Sequence, residues 1–142
     1  MKILYAAVMA LLSLGCFAWS ANAGSITARV DLSSQTMTVS KNGFTRYTWK
    51  ISTARKGYVT PVGQWRAKWA SRHHRSRKYN NAPMPFAIFY NGGYAVHATY
   101  DVKRLGRPAS HGCIRLHPKN AEIFYKMVHE AGLRNTRVVV SR

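Results

Sequence analysis

The sequence predicts a mostly-β domain, sandwich-like or barrel-like, with one main α-helix near its C-terminus. Three observations carry that prediction. Short alternating or aromatic and β-branched runs recur along the chain, two tight turns contain Asn-Gly, and a single stretch, Pro118 to Gly132, has helical spacing. Alternation with a period of two marks a half-buried strand, whereas apolar residues three and four apart mark a helix.

The first residues comprise Lys2, an apolar run from Ile3 to Trp19 and the small-residue site Ala21-Asn22-Ala23. That layout reads as a secretory signal peptide over residues 1–23, leaving residues 24–142 as the domain. An uncleaved membrane anchor is the alternative, but no basic stop-transfer cluster follows the run.

Ile26 to Leu32 alternates apolar and polar residues and predicts the first strand; Ser33-Ser34 turns the chain, and Met37 and Val39 continue the pattern. Asn42-Gly43 predicts a hairpin, because both residues tolerate positive φ. Phe44 to Ser52 is its returning strand, rich in the residues that suit a pleated surface. Residues 53–64 contain Gly57, Pro61 and Gly63 and read as a loop. Trp65 to Ala70 predicts a further strand, and the basic, proline-bounded stretch from Ser71 to Pro85 reads as irregular. A second hairpin joins Phe86–Tyr90 to Tyr94–Ala98 through Asn91-Gly92-Gly93, which sets His97 near a strand end. Pro118 suits the first turn of the helix, Ala121, Phe124, Val128 and Ala131 form its apolar stripe, and Gly132 caps it. Thr136 to Val140 supplies the last strand.

The net charge is +18, and only Asp31, Asp101, Glu122 and Glu130 are acidic. Such a surface implies a polyanionic neighbour. Nucleic acid would be the default for a cytosolic chain. With an export signal the expected partners are anionic envelope polymers or a membrane surface, and no nucleic acid. Arg66, Lys68, Arg72, Arg75, Arg77 and Lys78 carry six of the positive charges without an intervening acid and are expected to dock on such polymers rather than to react.

Of the two cysteines, Cys16 lies in the segment expected to be removed, so the mature chain keeps Cys113 alone and forms no internal disulfide. A lone thiol is either an inert small hydrophobe or a reacting group. Cys113 stands in Ser110-His111-Gly112-Cys113-Ile114-Arg115-Leu116. A nucleophilic cysteine needs a base, donors for a developing oxyanion and access to substrate. His97, His111 and His117 are candidate bases, and Arg104, Arg107 and Arg115 add positive potential that favours thiolate. Gly112 lets the backbone turn tightly before the thiol, so that consecutive amides can converge on one oxygen. Zinc held by His97, His111, Cys113 and His117 is the weaker reading, because one thiolate without a second ligand pair does not match zinc-finger spacing. His73 and His74 alternate on a basic segment and read as solvated. Trp49, Trp65 and Trp69 read as core or groove-wall aromatics. No metal and no cofactor are expected.

His97 followed by Ser110-His111-Gly112-Cys113 resembles the signature of the L,D-transpeptidase (YkuD) catalytic domain. Thr60-Pro61-Val62-Gly63 is similar to the family's Thr-Pro-x-Gly segment, and Met84 to Ala98 resembles its hairpin leading to the histidine. The resemblance implies that Cys113 is the nucleophile and His97 its proton acceptor, oriented by the backbone carbonyl of Ala98. It implies an oxyanion hole from the amides of His111, Gly112 and Cys113, with Arg115 holding the site or the acidic substrate. On their own placement, Arg107 reads either as a solvated loop residue or as a wall of the anionic-substrate site, and Ser110 beside the substrate is expected to order the loop through its hydroxyl. The substrate implied is a peptidoglycan stem peptide. The thiol would attack the diaminopimelate–D-Ala bond of a tetrapeptide and pass the acyl group to an amine, or to water in a carboxypeptidase. The alternative outside the enzymes is a catalytically silent, cationic envelope-binding module, and the presence of both Cys113 and His97 favours the enzyme. Ala54 and Ala98 depart from the family, standing where many relatives have glycine.

Overall fold

The computed structural model describes residues 24–142, so the signal-peptide reading and Cys16 lie outside the described residues. Among the described residues, nine strands form one curled mixed sheet in the order β4-β9-β1-β2-β3-β8-β7-β6-β5. They are β1 (Ile26–Asp31), β2 (Thr36–Lys41), β3 (Phe44–Ser52), β4 (Gly63–Arg66), β5 (Trp69–Arg75), β6 (Pro83–Asn91), β7 (Tyr94–Ala98), β8 (Ile114–Leu116) and β9 (Thr136–Ser141), with one α-helix, α1 (Pro118–Ala131). The mostly-β architecture with a single main helix is the one expected from the sequence.

The two hairpins form for local reasons. Asn42 and Gly43 adopt φ of 52° and 81°, both left-handed, and Lys41 pairs with Phe44 across them. That is the two-residue turn whose twist matches the flanking strands. Strand β3 then serves both halves of the sheet. Thr36 to Lys41 of β2 pair along its first part, and its last two residues, Ile51 and Ser52, pair with Leu116 and Arg115 of β8.

Helix α1 begins at Pro118, where a missing N–H costs nothing, and the His117 imidazole accepts the Lys119 N–H at 3.2 Å. Gly132, at φ 92°, closes it by donating its N–H to the Val128 carbonyl at 2.8 Å. The stripe Ala121, Phe124, Val128 and Ala131 is buried. Burying Phe124 and Val128 is worth about 1.5–3 kcal/mol each. They pack into one core with Ile26, Val30, Met37, Ile51, Ile88, Val96, Ile114 and Leu116, and the helix lies over the inner face of β6 and β7.

Two sequence expectations are corrected. The chain from Trp65 is not one strand: β4 ends at Arg66, and β5 starts at Trp69 and runs on through Ser71–Arg75, inside the stretch expected to be irregular. Strand β5 lies at the edge of the sheet, paired only to β6. Its exposed Arg72, His73 and Arg75 are the residues of a charged edge, which needs no apolar alternation. Likewise, β6 starts at Pro83 rather than Phe86. Strand β7 ends at Ala98, so the first residues of β6 have a neighbour on one side only, and Pro83 and Pro85 interrupt no second ladder. Phe86, at φ 55°, breaks the alternation there. Phe86 packs on the core, while Met84 joins Ala87, Phe89 and Ala95 on the outer face. Trp49 and Trp65 pack against the core, but Trp69 is 45% exposed and stacks face to face on Phe89, with ring centroids 3.9 Å apart.

Candidate active site

Strands β7 and β8 run parallel, and Val96 pairs with Ile114, His97 with Arg115 and Ala98 with Leu116. Val96, Ala98, Ile114 and Leu116 face the core. Alternation therefore turns Ala95, His97, Cys113 and Arg115 to the opposite face. One step back along the register Cys113 lies beside Ala95, with which it packs. His97 and Cys113 are thus diagonal neighbours on one sheet face, their Cα atoms about 8 Å apart by strand spacing and rise. Both line a cleft of about 560 Å³ on that face.

The loop carrying Cys113 is held from several directions. The Ser110 hydroxyl donates to the Cys113 carbonyl at 2.7 Å and accepts the Gly112 N–H at 3.0 Å. The Ser110 N–H donates to the Thr53 carbonyl at 2.9 Å, and the Thr60 hydroxyl donates to the Gly112 carbonyl at 2.8 Å. Thr53 is fixed in turn by the buried Gln35, whose amide donates to its hydroxyl at 2.7 Å and whose carbonyl oxygen accepts its N–H at 2.9 Å. Gly112 has a conformational and a steric reason to be glycine. Its φ is 138°, and a Cβ there would stand 2.7 Å from the Tyr94 ring and 2.8 Å from the Val59 carbonyl. Because the Gly112 N–H is engaged by Ser110, the amides free to meet an oxyanion are those of His111 and Cys113, which make no hydrogen bond within the described residues. Ala54 and Ala98 both sit at ordinary, non-left-handed φ, so alanine strains the backbone at neither position.

The three candidate bases separate cleanly. His117 is the N-cap of α1. His111 lies between two tyrosines, stacked on Tyr79 at 4.1 Å and tilted against Tyr58 at 4.7 Å. Burial, followed by the charges of Arg55, Arg115 and Lys78, holds its pKa below the ordinary histidine value. His97 is buried in the cleft wall, with its Nδ1 2.6 Å from the Ala98 carbonyl. A carbonyl only accepts, so Nδ1 carries the proton and Nε2 keeps its lone pair. Burial holds the imidazole neutral, with a pKa lowered to about 4; the Ala98 carbonyl pulls it up, and the charges of Arg115 and His74 push it down.

Positive potential around Cys113 was expected to favour thiolate, and burial reverses that expectation. Desolvation raises the thiol pKa, against a hydrogen bond from the Ala95 backbone and the charge of Arg115, which lower it. The thiol donates instead to the Gly93 carbonyl, at 3.7 Å. Resting thiol and resting imidazole are both neutral. Alkylation of Cys113 by iodoacetamide is therefore expected to rise with a midpoint above the ~8.5 of a free cysteine. A rate plateau reaching down to pH 5–6 would instead reveal a preformed ion pair.

Among the three arginines singled out, Arg115 lines the cleft beside His97, and its guanidinium reaches the Ala109 carbonyl at 3.4 Å. Arg104 also lines it, paired to Asp101. Arg107 does not. Gly106, at φ 95°, turns the chain, and Arg107 lies in a separate shallow depression with Lys50 and Lys103. Lys78, Tyr79 and Tyr100 complete the cleft wall; composition alone does not distinguish them from solvated loop residues. Among the described residues no group of three or more His, Cys, Asp or Glu side chains converges in a manner suited to a metal ion.

A family model for the L,D-transpeptidase catalytic domain (YkuD) matches residues 25–140, nearly the whole described chain. The chain belongs to the L,D-transpeptidase (YkuD) family. Its structure is similar to that of an L,D-transpeptidase from Stackebrandtia nassauensis, with 29% identity and a TM-score of 0.72 over 83% of this chain and 56% of that one. It is also similar to an L,D-transpeptidase from Mycobacterium smegmatis, with 24% identity and a TM-score of 0.74 over 84% and 59% of the two chains. L,D-transpeptidase LdtMt1 in complex with imipenem gives 24% identity and a TM-score of 0.74 over 83% and 59%. At 24% identity the likeness shows the fold alone. The chain spans less than two thirds of the length of these L,D-transpeptidases. No curated protein matches the chain.

Proposed function

We propose that the protein is an exported cysteine L,D-transpeptidase that joins peptidoglycan stems in the periplasm or cell envelope. The observation that carries this reading is the placement of Cys113 and the unprotonated Nε2 of His97 on one face of adjacent parallel strands, over a shared cleft. Nε2 takes the thiol proton as sulfur attacks the carbonyl carbon between diaminopimelate and D-Ala in a tetrapeptide stem. The amides of His111 and Cys113 receive the developing oxyanion. The C–N bond breaks, His97 returns the proton to the departing amine of D-Ala, and a thioester remains on Cys113. An amine of a second stem then attacks that thioester, its proton passes through His97 to sulfur, and a cross-link is released with free thiol.

The charge distribution supports an anionic substrate. Lys78, Arg104 and Arg115 line the cleft against Asp101 alone, and Asp101 is paired with Arg104. Outside the cleft, the exposed Arg72, Arg75 and Arg77 supply the field that would concentrate the enzyme on anionic envelope polymers.

Incubation of the purified protein with tetrapeptide muropeptides, followed by mass analysis, tests the reading. The expected products are D-Ala and a dimer linked through the donor's diaminopimelate carbonyl. Tripeptide without dimer would assign water as the acceptor and a carboxypeptidase activity. Unchanged muropeptides, with protein that still takes one carbapenem adduct on Cys113, would overturn the assignment of the stem as substrate.

A further inference from the structure

The turn beside the nucleophile contains a glycine that the backbone does not require. Asn91 of β6 pairs with Tyr94 of β7, so Gly92 and Gly93 alone form the turn. Gly92, at φ 51°, occupies the left-handed position that a two-residue turn reserves for glycine. Gly93 is not at left-handed φ, and a Cβ built on it meets nothing within 4 Å. A side chain would therefore fit without strain. What Gly93 does have is position: it is exposed, lines the cleft, and its carbonyl oxygen is 3.7 Å from Cys113 Sγ.

We propose that Gly93 is a specificity-determining position for the acyl half of the substrate, its bare Cα leaving room for that half and its carbonyl accepting an N–H from it. The inference rests on the transpeptidase reading above. Along β7, Ala95 lies beside Cys113, His97 two residues beyond it and Gly93 two residues before, so the imidazole and the turn flank the thiol on opposite sides. His97 must give a proton to the departing amine and take one from the entering amine. Both amines therefore use the His97 side of the sulfur, because the second step retraces the first with a different amine. The acyl half, which stays on sulfur throughout, is left with the Gly93 side. In the resting enzyme the Gly93 carbonyl accepts the thiol proton. When that proton moves to His97 and the S–C bond forms, the carbonyl loses its donor beside the bound acyl chain. A backbone N–H of that chain replaces the thiol, which avoids leaving a desolvated carbonyl unpaired.

The test compares Gly93→Ala and Gly93→Val with Gly92→Asn, a substitution in the same turn but outside the cleft lining and compatible with left-handed φ. Three readouts are taken: melting temperature, alkylation of Cys113 by iodoacetamide, and the single-turnover rate of acylation by a tetrapeptide muropeptide, followed by intact mass. The Gly93 variants are expected to keep the melting temperature and the alkylation rate of the parent. Their acylation by the stem should fall progressively with size, by about tenfold or more for valine. Aminolysis of a preformed acyl-enzyme should be unaffected, and Gly92→Asn should match the parent in all three readouts. Acylation of Gly93→Val at the parental rate would overturn the inference alone. So would a selective loss of aminolysis, which would place Gly93 on the amine side. If valine lowers the melting temperature, Gly93→Ala decides by the same criteria. A parent protein that alkylates normally but is never acylated by the stem would overturn the transpeptidase reading and this inference together.

Discussion

Cys113→Ala is expected to remove acyl transfer altogether while leaving the fold in place. Loss of a covalent nucleophile costs a factor on the order of 10⁶ where the remaining groups act only as a unit with it. The structural cost is small, because Cys113 is partly buried at the rim of the outer-face cluster rather than in the main core. The loop retains the Ser110, Thr53 and Thr60 hydrogen bonds that use backbone atoms. Circular dichroism and melting temperature should match the parent, and intact mass should show no thioester and no carbapenem adduct. Turnover that survived in a folded variant would sink the assignment of the nucleophile.

His97→Gln is expected to slow acylation by about 10²–10⁴, the usual contribution of a positioned acid–base group. Glutamine is close in size to histidine but cannot relay a proton, so the loss should be in proton transfer rather than in packing. Its pH dependence separates the two. The parental imidazole titrates near 4, so the acid limb of kcat/KM should lie well below the usual histidine range and vanish in the variant. Stability follows the same linkage. Between about 6.5 and about 4 the unfolded chain binds the proton more readily than the buried imidazole does, so the parent loses stability as pH falls through that window. The loss amounts to about 3 kcal/mol and should be missing from urea melts of His97→Gln. A parental acid limb near 6.5, or identical pH–stability curves for the two proteins, would contradict the buried neutral histidine.

The features legible in the sequence are those fixed by neighbouring residues. Asn42-Gly43 and Asn91-Gly92-Gly93 set their turns locally, and the Ala121–Ala131 stripe with Pro118 and Gly132 set the helix. The extension of β5 through His73 and His74 was not legible, because an exposed edge strand has no buried face to impose alternation. Nor was the start of β6 at Pro83, which depends on β7 having already ended. In the site, the motif pointed to Cys113 and His97, but their relation arises from the parallel register of β7 and β8. The choice of Arg104 over Arg107 at the cleft depends on a turn at Gly106. The raised thiol pKa depends on burial, which a count of nearby arginines does not include.

The pairing of β1 with β9 has a consequence in time. Ile26 lies against Thr136 and Asp31 against Ser141, so the first and last strands of the domain are neighbours, and β4 joins the sheet through β9. Contacts between such distant parts of a chain form slowly, since the loop entropy is lost before the pairing rewards it. Until β9 docks, one edge of β1 is open to pairing with other chains. The setting of Cys113 also waits on a distant contact, because its loop hangs on Thr53 just past β3, which the β2–β3 hairpin fixes through Gln35. A half-folded chain therefore presents an ordinary thiol, and a selectively reactive one arises only as the sheet closes.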